Sequence, residues 1–266
     1  MHIDHIFNVF KNNISNISII WKENEYTYKS LLNNIEKSKL LIDSHSIIPG
    51  SVVALIGDFS LNSIAMLFAL IESSCIIVPL SGSSNISHKK LFDIAKVEFL
   101  FLIDDNDDIT FKKHSLISHH ELYNLIREKG HPGLVLFTSG TTGEPKAAVH
   151  DFLPLLEKFK SSRKALRTLN FLLFDHWGGL NTLFHILSNG GVVVITNDRN
   201  PENICKIIEK FKIELLPASP TFLNLLLLSG AYNKFNLSSM KIISYGTEPM
   251  PEYTLKRLIK FFLVLI

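Results

Sequence analysis

The stretch that decides the fold is Leu134-Val-Leu-Phe-Thr138-Ser139-Gly140-Thr141-Thr142-Gly143-Glu144-Pro145-Lys146. Its first residues form an apolar run of strand length, and a loop of hydroxyl residues and glycines follows, ending in a lysine. Glycines let backbone N–H groups turn toward an anion, hydroxyls add hydrogen-bond donors, and Lys146 adds a positive charge. The stretch therefore predicts a strand that leads into a phosphate-binding loop.

Other well-known loops are excluded by spacing. Counted from Gly140, a Walker A motif needs its second glycine where Pro145 stands, and the dinucleotide pattern GxGxxG is absent. Ser139 is not the nucleophile of a GxSxG elbow, because Phe137 stands two residues before it. The loop therefore belongs to another class of phosphate site.

Outside the loop, apolar runs alternate with helical patterns, which predicts an α/β fold with mostly parallel sheets. The predicted strands are 52–56, 76–78, 99–103, 134–137, 169–174, 192–196, 213–216 and 241–244. The predicted helices include 31–42, 61–71 and 88–96, with further helix starts after Asp151, Asn200, Ser219 and Met250. The terminal run 261–266 reads as another strand.

The polar stretch 104–120 interrupts this rhythm and is the best candidate for a boundary. We therefore predict a first α/β subdomain at residues 1–115. A second, at residues 116–266, carries the phosphate loop.

Composition excludes several classes of protein. The 266 residues are 46% hydrophobic and 20% charged with a net charge of +2, which argues against disorder and against a nucleic-acid-binding surface. The apolar stretch 61–80 is interrupted by Glu72 and Pro79, so no membrane span is expected. The N-terminus does not resemble a signal peptide, and Cys75 and Cys205 read as buried reduced thiols, so we expect a cytoplasmic protein.

The motif from Thr138 to Lys146 resembles the phosphate-loop signature of the adenylate-forming superfamily, which contains acyl- and aryl-CoA synthetases, nonribosomal peptide synthetase adenylation domains and luciferases. Further segments resemble motifs of that family in family order: Tyr26–Leu31, Ile48–Leu55, Ile77–Leu80, Asp175–Leu180 and Ser244–Pro251. The resemblance implies layered αβαβα architecture, as in the large N-terminal domain of these enzymes.

The family reaction implied by this resemblance is ATP-dependent activation of a carboxylic acid. The acid forms an acyl-adenylate, and a thiol of CoA or of an acyl or peptidyl carrier protein (a pantetheine thiol) then accepts the acyl group. The chain would be an AMP-forming acid–thiol ligase, with ATP and Mg²⁺ as cofactors and a place in fatty acid metabolism.

Site residues follow from the same motifs. The residues implied to hold the phosphates are Thr138, Ser139, Gly140, Thr141, Thr142, Gly143 and Lys146. The residues implied to flank the adenine are Gly246, Thr247, Glu248 and Pro249. Lys146, His176 and Thr142 are the implied catalytic residues: His176 lies between acid and nucleotide, and Thr142 shares the Mg²⁺.

This chain differs from the family pattern at its end. In the family, further motifs and a small C-terminal domain with a catalytic lysine would follow. The resemblance therefore implies an incomplete N-terminal half. The alternative to an active ligase is a catalytically inactive remnant or a partial nucleotide-binding module.

Two possible metal sites are weak. An EF-hand loop starting at Asp104 would need glycine and glutamate where Ile109 and Ser115 stand. A zinc site from His114, His119 and His120 would lack a suitably spaced fourth ligand.

Overall fold

The computed structural model describes residues 2–82, 88–114, 118–139, 144–246 and 248–262. Its strands, β1 to β12, are Ile17–Trp21, Asn24–Thr27, Val52–Ile56, Ile76–Leu80, Phe99–Ile103, Ile109–Lys113, Gly133–Ser139, Pro145–Asp151, Arg167–Asn170, Val192–Ile195, Leu215–Ala218 and Ile242–Tyr245. Its α-helices, α1 to α10, are Asp4–Asn12, Tyr28–Ser44, Leu61–Glu72, His88–Ala95, Glu121–Lys129, Phe152–Glu157, Trp177–Leu187, Pro201–Phe211, Pro220–Ser229 and Glu252–Phe262.

These strands form two sheets of six. The first sheet has the order β6-β5-β3-β4-β7-β8, and the second has the order β12-β11-β9-β10-β1-β2. The pairs β5–β6, β7–β8 and β1–β2 are antiparallel, and the other neighbouring pairs are parallel. Because parallel neighbours need long crossovers, helices lie between most of these strands in sequence.

Alternate side chains of the first sheet enter two different cores. In β3, Val53 and Leu55 pack between the two sheets, whereas Val52, Ala54 and Ile56 pack with residues of α4 and α5. This is the period-two alternation of a strand that is buried on both faces.

The second sheet alternates in the same way. Ile19 and Val193 face the shared core, and Ile20 and Val194 face the core formed with α8 and α9. Helices α1, α2, α3, α6 and α7 contribute to the shared core between the sheets. The layers therefore run helix, sheet, helix, sheet, helix, which confirms the predicted αβαβα fold.

The sheets do not divide at the predicted boundary between residues 115 and 116. Strands β7 and β8 complete the first sheet, although they lie beyond residue 116, and β1 and β2 join the second sheet. The stretch 104–120 also contains β6, which pairs with β5. The assignment of subdomains 1–115 and 116–266 stays a prediction.

Two predicted strands were wrong in extent. The run 169–174 yields only the end of β9, because the chain turns after Asn170 and the carbonyl of Phe171 accepts from Nε of Arg199 at 2.8 Å. In the terminal run, Phe261 belongs to α10 and packs on Tyr232 with the ring centroids 4.8 Å apart. Residues 263–266 lie outside the described residues.

The predicted helix starts are confirmed in position. The side chains of Asn200 and Ser219 each accept a hydrogen bond from a backbone N–H of the first turn, at 2.9 and 3.1 Å. Asp151 also precedes a helix, but its carboxylate contacts Lys129 at 3.1 Å and His131 at 3.0 Å. Its role is therefore to tie β8 to the end of α5.

Glu98 is a carboxylate buried within the first sheet. It accepts hydrogen bonds from the backbone N–H of Val52 at 2.6 Å and of Ser118 at 2.8 Å, and Arg127 lies 3.8 Å away. A buried charge needs such partners, since an unpaired one would be strongly destabilising. Glu98 thus links β3 to the segment before α5.

Both cysteines are buried and unpaired, and burial raises the pKa of the Cys75 and Cys205 thiols to about 12. Among the described residues, no helix is long and apolar enough to cross a membrane.

Candidate functional site

The predicted phosphate loop joins the two strands of the β7–β8 hairpin. Four of the predicted phosphate ligands, Gly140, Thr141, Thr142 and Gly143, lie outside the described residues. The hairpin pairs Thr138 directly with Lys146 and Ser139 with Pro145. Opposed residues of an antiparallel pair project from one face, so the exposed Thr138 and Lys146 side chains stand together at the base of the loop.

The arm of the hairpin that carries Lys146 is attached to α4. Glu144 forms an ion pair with Lys90 at their side-chain termini. Within the part of the chain that the structure describes, Lys146 has no carboxylate in salt-bridge range. Its charge is therefore available to an anion at the end of the hairpin.

His176 precedes the first turn of α7. Its Nδ1 lies 2.7 Å from Oδ1 of Asp175, and Oδ2 of Asp175 accepts a hydrogen bond from the backbone N–H of Ser81 at 3.3 Å. The hydrogen bond to Asp175 raises the pKa of His176, although partial burial opposes it. Because the carboxylate occupies Nδ1, Nε2 is the ring nitrogen that can contact a ligand.

Asp58 interacts electrostatically with both Arg199 and Asp175. Burial raises the pKa of Asp58, the charge of Arg199 lowers it and that of Asp175 raises it. Asp58 follows β3, Arg199 follows β10, and Asp175 follows β9. Ligands of open α/β sheets bind beyond the carboxyl ends of the strands, where all of these residues lie.

A cavity of about 460 Å³, here the His176 cavity, opens beside these groups. Its lining includes His176 and Gly178 at the start of α7, Tyr245 at the end of β12 and Gly246 directly after it. The structure therefore brings together two segments that the sequence singled out separately. Among the described residues, no atom lies within 4 Å of a Cβ built on Gly246.

Gly179 sets how closely α7 approaches the preceding turn. A Cβ at this position would lie 2.2 Å from the carbonyl oxygen of Leu173 and 3.1 Å from Cε2 of Phe59. The carbonyl of Gly179 accepts from the side chain of Asn170 at 3.2 Å. Only glycine allows this approach, which holds His176 at the mouth of the cavity.

The rest of the predicted adenine segment is arranged differently from Gly246. Oε2 of Glu248 accepts from the hydroxyl of Thr221 at 2.5 Å and from its backbone N–H at 3.2 Å, so this carboxylate caps the first turn of α9. Pro249 is exposed, and Thr247 lies outside the described residues.

The residues present fit a nucleotide better than a protein-bound metal. Lys146 and Thr138 offer a charge and a hydroxyl to phosphates, and Gly246 lines the His176 cavity. Among the described residues, no group of three His, Cys, Asp or Glu side chains could hold a metal ion. Thr142, which stays the predicted protein contact of Mg²⁺, lies outside the described residues.

Sequence reasoning gave no role to Asp175, Ser81, Asp58 or Arg199. The only available signal was the position of Asp175 next to His176. The other three come from separate strand ends, and only the folded chain places them near one another.

Comparison with known proteins identifies the family. Residues 8–266 match the AMP-binding enzyme family. Among curated relatives, a plipastatin synthase polypeptide of Bacillus subtilis is 22% identical over 92% of this chain, which spans 10% of that protein. The D-alanine–D-alanyl carrier protein ligase of Staphylococcus haemolyticus is 23% identical over 94% of this chain, which spans 54% of its length.

A solved structure gives the same fold. The luciferase-like enzyme from the mealworm Zophobas morio superposes with a TM-score of 0.78 at 18% identity, covering 97% of this chain and 69% of that one. The chain spans about half or less of the length of these two curated relatives. Since the family match extends over residues 8–266, the chain belongs to the AMP-binding enzyme family.

Proposed function

We propose that this chain binds ATP and a carboxylic acid for acid activation. One carboxylate oxygen attacks the α-phosphorus of ATP, the bond to the bridging oxygen breaks, and pyrophosphate leaves with the electron pair. A thiol of CoA or of a carrier-protein pantetheine then displaces AMP, giving an acyl-CoA-synthetase-like reaction. The observation that carries the proposal is the His176 cavity, which joins His176 to Gly246.

The proposed roles follow from position and charge. Lys146 and Thr138, with the loop residues between them, hold the leaving pyrophosphate, where a cation offsets the accumulating charge. His176, whose pKa is raised by Asp175, retains its proton to higher pH and places positive charge beside the reacting carboxylate. The backbone around Gly246 lies against the adenine.

Substrate positioning supports the same proposal. The reaction needs the acid and the α-phosphate within contact distance and in line, and such alignment lowers the barrier by several kcal/mol, up to about 7–11. The His176 cavity has one wall from α7 and another from the segment after β12, so an acid held on one wall would meet a nucleotide held on the other.

The test is carboxylate-dependent exchange of labelled pyrophosphate into ATP by the 266-residue protein, over a broad panel of acids. We expect exchange with at least one acid and at least a tenfold loss in Lys146→Ala, whose exposed side chain is not needed for folding. Lys37→Ala removes an exposed cation elsewhere, on α2, and should leave exchange unchanged.

A parallel thermal melt with ATP and Mg²⁺ separates the possible failures. Stabilisation by ATP without exchange for any acid would favour a nucleotide-binding module that lacks catalysis. If the protein shows no stabilisation by ATP and no exchange with any acid, the whole proposal is contradicted.

A further inference from the structure

A second, larger cavity of about 790 Å³, here the basic cavity, adjoins the His176 cavity. The two share four lining residues: Asn181, Thr182, Pro217 and Ser244. The two cavities therefore lie side by side, so a long ligand held beside His176 would have its far end close to the basic cavity.

Helix α7 forms one side of both cavities. Gly178 lines the first, Asn181 and Thr182 line both, and His185 lines the second. These positions are spaced three, four and seven residues apart and so share one helix face. With a rise of ~1.5 Å per residue, Gly178 and His185 are about 10 Å apart along the axis.

The opposite side is a two-strand floor. Leu215 and Pro217 of β11 are in register with Ile242 and Ser244 of β12, and all four line the basic cavity. Alternate residues on paired strands share one face of a sheet. The floor is mostly apolar, which suits the hydrocarbon part of an acid.

The far side of the basic cavity carries positive charge. Its lining, as far as the described residues form it, includes Lys158, Arg163, Lys164 and His185 and no aspartate or glutamate. Among the described residues, Lys158, Arg163 and Lys164 have no carboxylate in salt-bridge range. Nζ of Lys158 donates to Oδ1 of Asn181 at 2.5 Å, and burial lowers the pKa of Lys158. Burial lowers the pKa of His185, and the charges of Arg163 and Lys158 lower it further.

A carboxylate next to this cluster, Glu214 just before β11, has its own partners. Glu214 forms an ion pair with Lys241 and accepts a hydrogen bond from the backbone of Arg167 at 2.8 Å. The charge of Lys164 also lowers the pKa of Glu214, but Glu214 itself does not line the basic cavity.

We infer that the acid bound by this chain carries a second anionic group, a carboxylate about 10 Å from the carboxylate beside His176, which contacts Arg163 and Lys164. The inference rests on the proposed function, which places the reacting carboxylate in the His176 cavity. The nucleotide does not account for the basic cavity, because its phosphates are assigned to Lys146 and Thr138 on the other sheet.

The test is calorimetric titration of the 266-residue protein with two probes of equal chain length, decanedioate and decanoate, at low salt. Two charge-assisted contacts to exposed cations predict that decanedioate binds about tenfold more tightly. The double variant Arg163→Ala/Lys164→Ala should abolish that preference and leave decanoate binding unchanged. Arg163→Lys with wild-type Lys164 should retain most of it, and Lys37→Ala should retain all of it.

Decanoate binding equal to or tighter than decanedioate would overturn the inference, as would a preference that survives in the double variant. Both substituted residues are exposed, so the double variant should melt at the wild-type temperature. Exchange with decanoate but no preference for decanedioate would leave the proposed function standing and reject the second anion. A variant-sensitive preference without exchange would retain the anion site and reject the proposed function.

Discussion

Replacing Gly179 with alanine tests the close approach that positions α7. The added Cβ would lie 2.2 Å from the backbone oxygen of Leu173, and under 3.0 Å something must shift. Because the obstacle is backbone, the helix start has to move by roughly 1 Å, and overpacking of this kind costs ~1–3 kcal/mol. Alanine is favoured over glycine in a helix by up to ~1 kcal/mol, so we expect a net loss of about 1–2 kcal/mol.

The neighbouring Gly178 is a matched control. A Cβ there would meet only Cδ1 of Leu172, at 3.7 Å, which is an ordinary contact. Gly178→Ala should therefore leave the free energy of unfolding unchanged or raise it by up to ~1 kcal/mol. Both variants are compared by urea unfolding, with the midpoint and the slope fitted separately.

Gly178→Ala should also affect ligand binding. Gly178 lines the His176 cavity and lies on the face of α7 that continues toward the basic cavity. Its alanine variant should therefore bind acids more weakly while folding normally. Equal stability of Gly179→Ala and Gly178→Ala would refute the reasoning, because it would show that the Leu173 carbonyl does not limit the helix.

Three further predictions concern polar side chains outside the α7 contact. Asp175→Asn should lower the pKa of His176, which NMR titration measures. Because the pKa of His176 is raised in the folded protein, its pairing with Asp175 stabilises the fold by at most ~1 kcal/mol below the unfolded histidine pKa near 6.5. This stabilisation is lost as the pH rises through the pKa of His176 in the folded protein. Cys75 and Cys205, with pKa values of about 12, should not react with a thiol reagent at a pH of about 8 until the protein is unfolded. Glu98→Gln should reduce the free energy of unfolding by about 1.5–3 kcal/mol, measured by urea, because both backbone donors lose a charged acceptor.

Each of these has a result that would count against it. An unchanged His176 titration in Asp175→Asn would mean that the carboxylate does not set the charge of the ring. One thiol equivalent reacting quickly in the native protein would show that a cysteine is accessible. Glu128, an exposed carboxylate on α5, provides the control for Glu98. If Glu98→Gln is no more destabilising than Glu128→Gln, Glu98 does not have the structural role described.

The sequence predicted the fold class because hydrophobic period and helix starts are local signals. The runs at 52–56 and 99–103 match β3 and β5 in extent, and Asn200 and Ser219 cap the helices they were expected to start. Local signals also explain the misplaced element, since an apolar run such as 261–266 does not by itself distinguish a strand from a helix.

The arrangement of strands between the sheets could not be read from local pattern. The β1–β2 hairpin and helix α1 were not predicted, and the hairpin joins a sheet whose other strands begin at Arg167. Sheet membership depends on pairing between distant segments, which hydrophobic period does not encode. For the same reason His176 and Gly246 could be singled out by motif, but the shared cavity and the cations of the basic cavity required the folded chain.

The placement of β1 inside the second sheet affects the order in which the protein can fold. β1 pairs with β10, and the Tyr28 hydroxyl donates to the Gly191 carbonyl, 163 residues away, at 2.7 Å. Contacts this distant in sequence are slow to form because a long loop must close first. During synthesis the N-terminal hairpin must wait, unpaired on one edge, until the ribosome has released residues 192–195, whereas β3, β4 and β5 can already assemble.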